Sequence, residues 1–485
     1  MQWWMLRRKL HTSWLIAIAS VCVLVGVVMA RYVDQTLFAP YVWLFTSLAM
    51  IGTALWRRSL YLILLVIVGG LLLGLWRGSV LQSQLVVYEK LYGSAVTMTG
   101  LVSEDADTGR RGELVLRLSN LEVGGHVIAG KSWVSIMTDA EIKRGDRVVV
   151  DGKMSEGFGS FSSAIYRAKL LTVQRPEPGD IARQVRDWFA DTVRRAIPDP
   201  QAALGIGYLV GQRRALPPEL DEALQIAGLT HVVVASGYNL TILVRLARRL
   251  FVRVSKYLAA FAASGMIGSF VLITGASPSM SRAGLVAGLS LLAWYYGRQF
   301  HPLVLLPFAA AVTVLIDPSF AWGDLGWQLS FTAFAGVMIL APLGQAYFFG
   351  DKKPGTVRQI LGETIAAQIA TLPILVLAFS QFSTVAVLAN ALVLPLVPLA
   401  MLLTFLSGVG AMIFPSFASI IGLPANWLLQ YMIAVADYLA KLPWALSEVM
   451  IEPWQAVVGY SVIVISCIYM WRVTKYSLRE SNIVE

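Results

Sequence analysis

The stretch His231-Val-Val-Val-Ala-Ser-Gly-Tyr-Asn-Leu240 places His231, Ser236, Tyr238 and Asn239 in sequence that is otherwise apolar. A histidine five residues before a serine suggests a base and a nucleophile. On a regular helix the two diverge by about 140°, so they cannot meet as a catalytic pair. No Gly-x-Ser-x-Gly turn accompanies them. The spacing instead spreads Tyr238, His231, Asn239 and Ser236 over one polar sector, with Gly237 permitting a close approach or a bend. Polar groups are costly in lipid, so such a sector faces other helices or water. Two readings stay open here: hydrogen bonds that hold a bundle together, or the wall of a wet passage.

Other chemistries fail on spacing. His11, His126, His231 and His301 are the only histidines and form no close ligand set, so neither a metal nor a cofactor is expected. Gly125-His-Val-Ile-Ala-Gly-Lys-Ser132 matches the P-loop pattern letter for letter. A strand pattern, Trp133 to Met137, follows where a helix would have to present its amides to phosphate, so the match is read as accidental. With no nuclease, ATPase or protease motif, no enzymatic activity is expected. Polar positions recur downstream: Asp324, Gln328 and Thr332 at i, i+4 and i+8, with Ser330 between them; Arg282 opening a span in "SPSMSRAG"; Gln368 with Thr371; and Gln381 with Asn390 before Pro395 and Pro398. One polar cluster is easily structural, whereas four on four helices beside helix breakers favour a hydrated passage. In such a passage Arg282 would attract phosphate. No span carries the paired carboxylates of a dedicated proton relay.

The elements that must position these groups follow from composition. The 485 residues are 57% hydrophobic and 14% charged, with a mean hydropathy of +0.66, which indicates a polytopic α-helical membrane protein. The clearest spans are Ser13 to Ala30, Pro40 to Trp56, Leu60 to Trp76, Tyr257 to Gly275 and Pro453 to Trp471. The first is followed by Arg31-Tyr-Val-Asp and no small-residue cleavage site, so it is read as an uncleaved helix. Cys22 and Cys467 lie inside the first and last spans and carry no information about redox compartment.

The net charge of +10 is juxtamembrane: residues 1–84 hold 7 Lys and Arg against 1 acid, and residues 181–256 hold 11 against 6. Lys and Arg near span ends stay on the cytoplasmic side. That rule puts both termini inside and about 12 crossings in the cytoplasmic membrane. The insert of residues 85–178 then lies outside. It shows five period-two runs, Ser94 to Val102, Glu113 to Val123, His126 to Met137, Asp146 to Met154 and Tyr166 to Val173, with Gly124-Gly125 as a hairpin turn. Five short strands without a long helix predict a small all-β domain, an OB-like barrel or another small sandwich. Residues 1–78 form a three-helix segment and 181–227 linker helices. Residues 228–472 form the polytopic channel domain and 473–485 a tail. "IARQVRDWFADTVRRAI", 181–197, sets Ile181, Val185, Trp188, Phe189 and Val193 at helical spacing among arginines, either an interfacial helix or a packing linker.

"LVGQRRALPPELDEALQIAGLTHVVVASGYNL" resembles the ComEC-type competence proteins, whose motif block falls here on Gly228, His231, Ala235, Ser236, Gly237 and Asn239. The likeness continues through Arg282-Ala283, Asp317-Pro318, "GWQLSF" (Gly326, Gln328, Leu329, Ser330, Phe331) and "NALVLPLVP" (Asn390, Pro395). The three-helix start with an outer OB-like insert is that family's layout too. The resemblance implies passage of one DNA strand across the cytoplasmic membrane during natural transformation. It implies His231, Ser236, Gly237, Asn239, Arg282, Gln328, Ser330 and Asn390 as pathway or gate residues, to which the polar positions read above add Asp324 and Gln381. Larger members add a metallo-β-lactamase-like domain, and no HxHxDH cluster is present here. Degradation of the other strand would therefore need a separate nuclease, and uptake an external DNA receptor and a cytoplasmic helicase or motor. A transporter of a small polar solute or envelope precursor, and a membrane scaffold, are the alternatives.

Overall fold

The computed structural model describes residues 11–57, 60–109, 112–212, 216–233, 237–275, 277–297, 301–350 and 355–476. Contacts divide the chain into two units, Met1–Gly179 with His301–Trp327, and Asp180–Phe300 with Gln328–Glu485. Elements are numbered along the whole chain.

The first unit opens with α1 (Thr12–Ala30), the short α2 (Gln35–Phe38), α3 (Val42–Arg57) and α4 (Ile63–Leu85). Gly70, Gly74 and Gly78, one turn apart on α4, let its backbone lie directly against α1. A Cβ on Gly74 would run into the Val23 carbonyl, and one on Gly26 into the Leu71 carbonyl. Small residues at four-residue spacing are what close helix pairing in lipid requires, because apolar burial gives no advantage there. The segment 301–327, placed with the channel domain on sequence grounds, packs with this unit as α12 (Pro302–Ile316) and α13 (Ser319–Gly323). Arg77 on α4 donates from Nε and Nη2 to the Leu315 and Ile316 carbonyls, both at 2.7 Å, satisfying the free C-terminal end of α12. Arg31 donates to the Trp322 carbonyl at 2.9 Å, and the Trp322 indole donates to that of Val27 at 2.8 Å.

The insert folds as β1 (Ala95–Val102), β2 (Asp107–Thr108), β3 (Leu114–Val123), β4 (His126–Ile128), β5 (Ser132–Ile136), β6 (Arg147–Glu156) and β7 (Ser163–Gln174). Strands β1, β6, β7, β5 and β3 pair in that order and β3 returns to β1, closing a small barrel in which only β5–β7 is parallel. This is the predicted OB-like arrangement. Inward-facing Met98, Leu116, Leu118, Ile136, Val150 and Ile165 fill it. Gly124 and Gly125 both take positive φ, +59° and +79°, as a two-residue hairpin turn requires. The single run expected from His126 to Met137 breaks into two strands at Gly130, where φ is +104°. The P-loop-like letters thus lie on a strand–turn–strand, with no helix behind them.

Within the same unit, the barrel is docked on the α12–α13 segment. Lys131 pairs with Asp317 at 2.9 Å and lies 4.9 Å from the centre of the Phe320 ring. Gly159 comes so close to Gly323 that a Cβ on Gly323 would sit 3.4 Å from the Gly159 Cα. Ser160 donates to Asp324 at 2.8 Å.

The second unit holds α5 (Ile181–Ala196), α6 (Gln201–Val210), α7 (Pro218–Ile226), α8 (Thr230–Val233), α9 (Gly237–Phe251), α10 (Lys256–Ile273) and α11 (Pro278–Tyr295). It continues with α14 (Leu325–Ala335, entered from the first unit), α15 (Ala341–Phe349), α16 (Thr356–Phe379), α17 (Ala386–Val393), α18 (Val397–Ile413), α19 (Ala418–Ala440) and α20 (Pro453–Thr474). A two-stranded ribbon pairs β8 (Gln381–Ser383) with β9 (Leu446–Glu448). One core gathers α5–α7 with α17–α19, and another joins α9, α10 and α11.

On α5 the expected apolar stripe divides: Phe189 and Val193 pack on Gly408 of α18, while Ile181, Val185 and Trp188 are exposed. Arg183 and Arg186 are buried instead, both paired with Asp187. Among the described residues, eight helices are long and apolar enough to cross a membrane, and α3, α6 and α12 are shorter apolar helices. The protein is a multi-pass membrane protein with a small β-barrel insert.

Candidate functional site

Gly228 is where two of the polar blocks meet. Its φ is +71°, and a Cβ there would fall 2.5 Å from that of Ala386 and 3.5 Å from that of Ser383. The turn entering α8 therefore seats directly on the turn entering α17. That packing brings the His231 block beside the block from Gln368 to Asn390. His231 lies on the one-turn α8, its ring hydrogen-bonded to the Gly228 backbone. Gln368 on α16 donates to the Ser383 carbonyl at 3.3 Å. Its Oε1, the Ser383 Oγ and the Asn390 Oδ1 are all buried without a hydrogen-bond partner. Asn390 is 3% exposed and shares the inner face of α17 with Ala386, Ala389 and Val393.

These three are among several buried side-chain atoms without a protein partner in the described residues, Ser79 Oγ, Thr404 Oγ1 and Asn426 Oδ1 being others. Such atoms are nearly always paired with protein or water, since each costs about 1–3 kcal/mol when left unsatisfied.

A second constellation joins α6, α9 and α11. A Cβ on Gly237 would lie 3.3 Å from that of Ala283, so the start of α9 rests on the second turn of α11, where the neighbouring Arg282 is buried. Asn239 is fully buried and donates to the Tyr208 carbonyl at 3.0 Å, in the last turn of α6. That geometry matches the bundle-holding reading of Asn239. Ser236 lies outside the described residues.

The expected stripe Asp324–Gln328–Thr332 is broken at its first member. Asp324 precedes α14 and caps it, accepting from the Trp327 amide at 2.6 Å, while its other oxygen takes the Ser160 hydroxyl. Its carboxylate belongs to the barrel dock of the first unit. Gln328 and Ser330 are half-buried on α14, and the Thr332 hydroxyl donates to the Gln328 carbonyl at 2.6 Å. Beyond α14 the helix loosens into a π turn, Gly336–Leu340, whose Gly336 abuts the Ala366 carbonyl and the Ala370 side chain of α16, on either side of Gln368. π turns of this kind recur at functional positions. Gln381 is not inside a span: it sits on β8, opposite Glu448 of β9.

On the barrel the structure shows a feature the sequence did not signal. Trp133 lies 5.2 Å from Tyr166 and 5.7 Å from Phe158, which lies 5.6 Å from Phe161. A bulge in β7 holds Arg167 at φ +52°, its amide donating to Ser135 Oγ at 3.0 Å. The bulge breaks the inward–outward alternation, so Tyr166 and Arg167 are both exposed. Phe158 adjoins Gly159, so this aromatic row starts at the α13 dock and climbs the barrel. Beside it Arg117 pairs with Glu104 at 3.3 Å and Asp107 at 2.7 Å. Burial holds the Glu104 carboxyl above its usual range despite Arg117.

Two of the four histidines have ordinary local roles: His11 and His301 accept amide protons at the starts of α1 and α12. No group of three or more His, Cys, Asp or Glu able to hold a metal exists among the described residues.

Residues 208–473, more than half of the chain, match the family model described as "Competence protein". The chain is 24% identical over 248 residues to "ComE operon protein 3" of Bacillus subtilis (strain 168), a stretch covering 50% of this chain and 31% of that one. It is 31% identical over 241 residues to "Competence protein ComA" of Neisseria gonorrhoeae, covering 46% of this chain and 33% of that one. An "Uncharacterized protein" of Aquifex aeolicus (strain VF5) is 24% identical over 262 residues, 54% of this chain and 60% of that one. The aligned part thus spans about a third of the two named relatives. No solved structure matches the chain. The match runs from Tyr208 through both polar constellations to the end of the last span, and on that ground the chain belongs to the competence protein family.

Proposed function

We propose that the protein takes part in DNA uptake and passes a single DNA strand across the cytoplasmic membrane, with both termini inside and the β-barrel outside. The observation that carries this reading is the set of unpaired polar atoms of Gln368, Ser383 and Asn390 beside the Gly228–His231 turn, in a unit built of membrane-spanning helices. Neutral amides and hydroxyls suit a hydrated strand in transit: they can exchange hydrogen bonds with phosphate, sugar or base without holding any of them tightly. The barrel's aromatic row, Trp133, Phe158 and Tyr166 with Arg167, suits unpaired bases, which stack on aromatic faces regardless of sequence.

No catalytic step is assigned to the chain. Degradation of the second strand, capture of external DNA and the driving force are assigned to other polypeptides: a nuclease, a receptor and a cytoplasmic helicase or motor.

The test is uptake of duplex DNA carrying a different label on each strand, in a strain deleted for the gene and complemented with wild type or with Tyr166→Ala/Trp133→Ala. Wild type should admit one label into the nuclease-protected pool and exclude the other, and the double variant should admit less. Normal internalisation without the gene, or entry of both labels together, would overturn the reading.

A further inference from the structure

The ends of α9, α10 and α11 form a second charged region that the proposed passage does not use. From Gly237 to Tyr296 the chain has six basic residues and no acidic one, and five of them, Arg245, Arg248, Arg249, Arg253 and Lys256, fall within twelve consecutive positions. They cover the C-terminal half of α9, the turn after it and the first residue of α10. Core packing of α9 against α10 and α11 brings this end beside the last turn of α11. There Arg248 lies 4.9 Å from the Trp294 ring centre, and Lys256 lies 5.7 Å from that of Trp294 and 5.6 Å from that of Tyr295. Arg249, Arg253 and Lys256 are exposed, and none of the three is in an ion pair with a described residue.

Exposed apolar side chains interleave with the cations. Val254 is 74% exposed and Tyr257 70% exposed on either side of Lys256, and Leu250 and Val252 are exposed beside Arg249 and Arg253. A surface for nucleic acid or for an acidic protein would leave these apolar groups in water. At the boundary of a bilayer they enter the acyl region while the cations stay among the headgroups. Lys256 also begins α10, a helix long and apolar enough to cross the membrane, which fixes this turn at a span end. α9 itself, carrying three arginines, is not among those spans.

We infer that the α9–α10 turn, with Trp294 and Tyr295 of the neighbouring helix end, is a seat for anionic phospholipid headgroups, with Arg249, Arg253 and Lys256 as its phosphate-facing cations. The seat has a mechanical consequence. α9 starts at Gly237 and Asn239, the two motif residues packed on α11 and α6, and ends at the seat. Its 15 residues make a rod of about 22 Å. Lipid binding at one end therefore fixes the position of the motif residues at the other.

The full-length protein, reconstituted in mixed phosphatidylglycerol and phosphatidylcholine and extracted with its bound lipid, provides the test by native mass spectrometry. Wild type should retain phosphatidylglycerol over phosphatidylcholine. Arg249→Gln/Arg253→Gln and the triple variant adding Lys256→Gln should lose that preference by about five-fold for each cation removed. A matched double on the barrel, Lys153→Gln/Lys169→Gln, should keep it. These positions are exposed, so the variants should elute as wild type does. Unchanged phosphatidylglycerol preference in the triple variant overturns the inference. So does a variant that keeps its lipids but loses binding of a labelled single-stranded oligonucleotide or of an acidic cytosolic partner.

Discussion

Two asparagines in the second unit should respond to the same substitution in opposite ways. Asn390 presents Oδ1 to the interior with no protein partner, whereas Asn239 gives its amide to the Tyr208 carbonyl at 3.0 Å. Leucine has asparagine's branching and number of heavy atoms, so Asn→Leu removes polarity while keeping the side chain's shape, and its extra bulk is the same at both sites. At Asn239 the change deletes a hydrogen bond and strands a carbonyl at the C-terminal end of α6. That loss should cost about 1–3 kcal/mol. At Asn390 no protein hydrogen bond to Oδ1 is lost. If Oδ1 faced a dry core, its removal would relieve an unsatisfied group and stabilise the protein by about the same 1–3 kcal/mol. If it lines a wet passage, water already satisfies it, and stability should stay within about 0.5 kcal/mol.

The assay pairs the unfolding midpoint of the purified protein with DNA uptake in the complemented deletion strain. The expectation is a near-native midpoint with strongly reduced uptake for Asn390→Leu, and a lowered midpoint for Asn239→Leu. An Asn390→Leu protein that is markedly more stable and takes up DNA normally would refute the passage, because the orphan oxygen would then be a packing defect. Gln368→Leu should behave like Asn390→Leu, though with some loss of stability, since Gln368 also donates to Ser383.

Gly74→Leu should prevent accumulation of folded protein, since its side chain would enter the α1 backbone at Val23, while Gly52→Ala on α3, where nothing lies within 4 Å, should be neutral or stabilising by up to about 1 kcal/mol; membrane-fraction immunoblots distinguish the two. Asp324→Ala removes both the α14 cap and the Ser160 tether, so it should lower stability by about 1–2 kcal/mol, and Ser160→Ala by less; equal effects would refute the dual role. The Glu104 carboxyl is held above its ordinary value by burial. Its protonated form therefore favours the folded barrel, a contribution fully present below about pH 4 and lost as pH rises through the elevated value. Glu104→Gln should accordingly raise the midpoint near neutrality and lose that advantage in acid, as read from melts across pH.

Local signals were legible where a short stretch decides its own conformation. Gly124-Gly125 announced a hairpin because only glycine takes two successive positive φ values at little cost, and period-two runs located all five barrel strands. The α4 glycines could also have been read, since Gly70, Gly74 and Gly78 repeat every four residues in a span. What stayed hidden depends on partners distant in sequence. Nothing near Asp317 reveals that Lys131 pairs with it, or that Arg77 closes the end of α12, so the packing of 301–327 with the first unit was hidden even though the segment lies within the matched family region. Asp324 fitted a helical stripe by spacing alone, but the turn before α14 makes it a cap. On α5 the usual rule of apolar inside and charged outside partly reverses, because two buried arginines share Asp187 as an ion-pair partner while Ile181, Val185 and Trp188 are left on the surface. Bulge residue Arg167 escaped because period-two reasoning assigns neighbours to opposite faces.

The unpaired oxygens of Gln368, Ser383 and Asn390 lie near breaks in the regularity of neighbouring helices, and each break frees backbone groups of its own. α8 has a single turn after Gly228, α14 passes into a π turn against the Gln368 stretch of α16, and α17 ends in the Leu394–Leu396 turn four residues after Asn390. Uninterrupted spans would direct their backbone polarity inward along each rod and leave side chains to close the gaps with apolar groups. Short and broken helices cannot do that inside a membrane unless protein or water satisfies what they release. Among these breaks Gln368, Ser383, Asn390 and His231 stand beside apolar core side chains such as Leu229, Val385 and Val393, so the polar groups are set into an otherwise apolar wall. A strand of nucleic acid needs both properties in one place: polar groups that bind weakly, and helices short enough to shift apart as it passes.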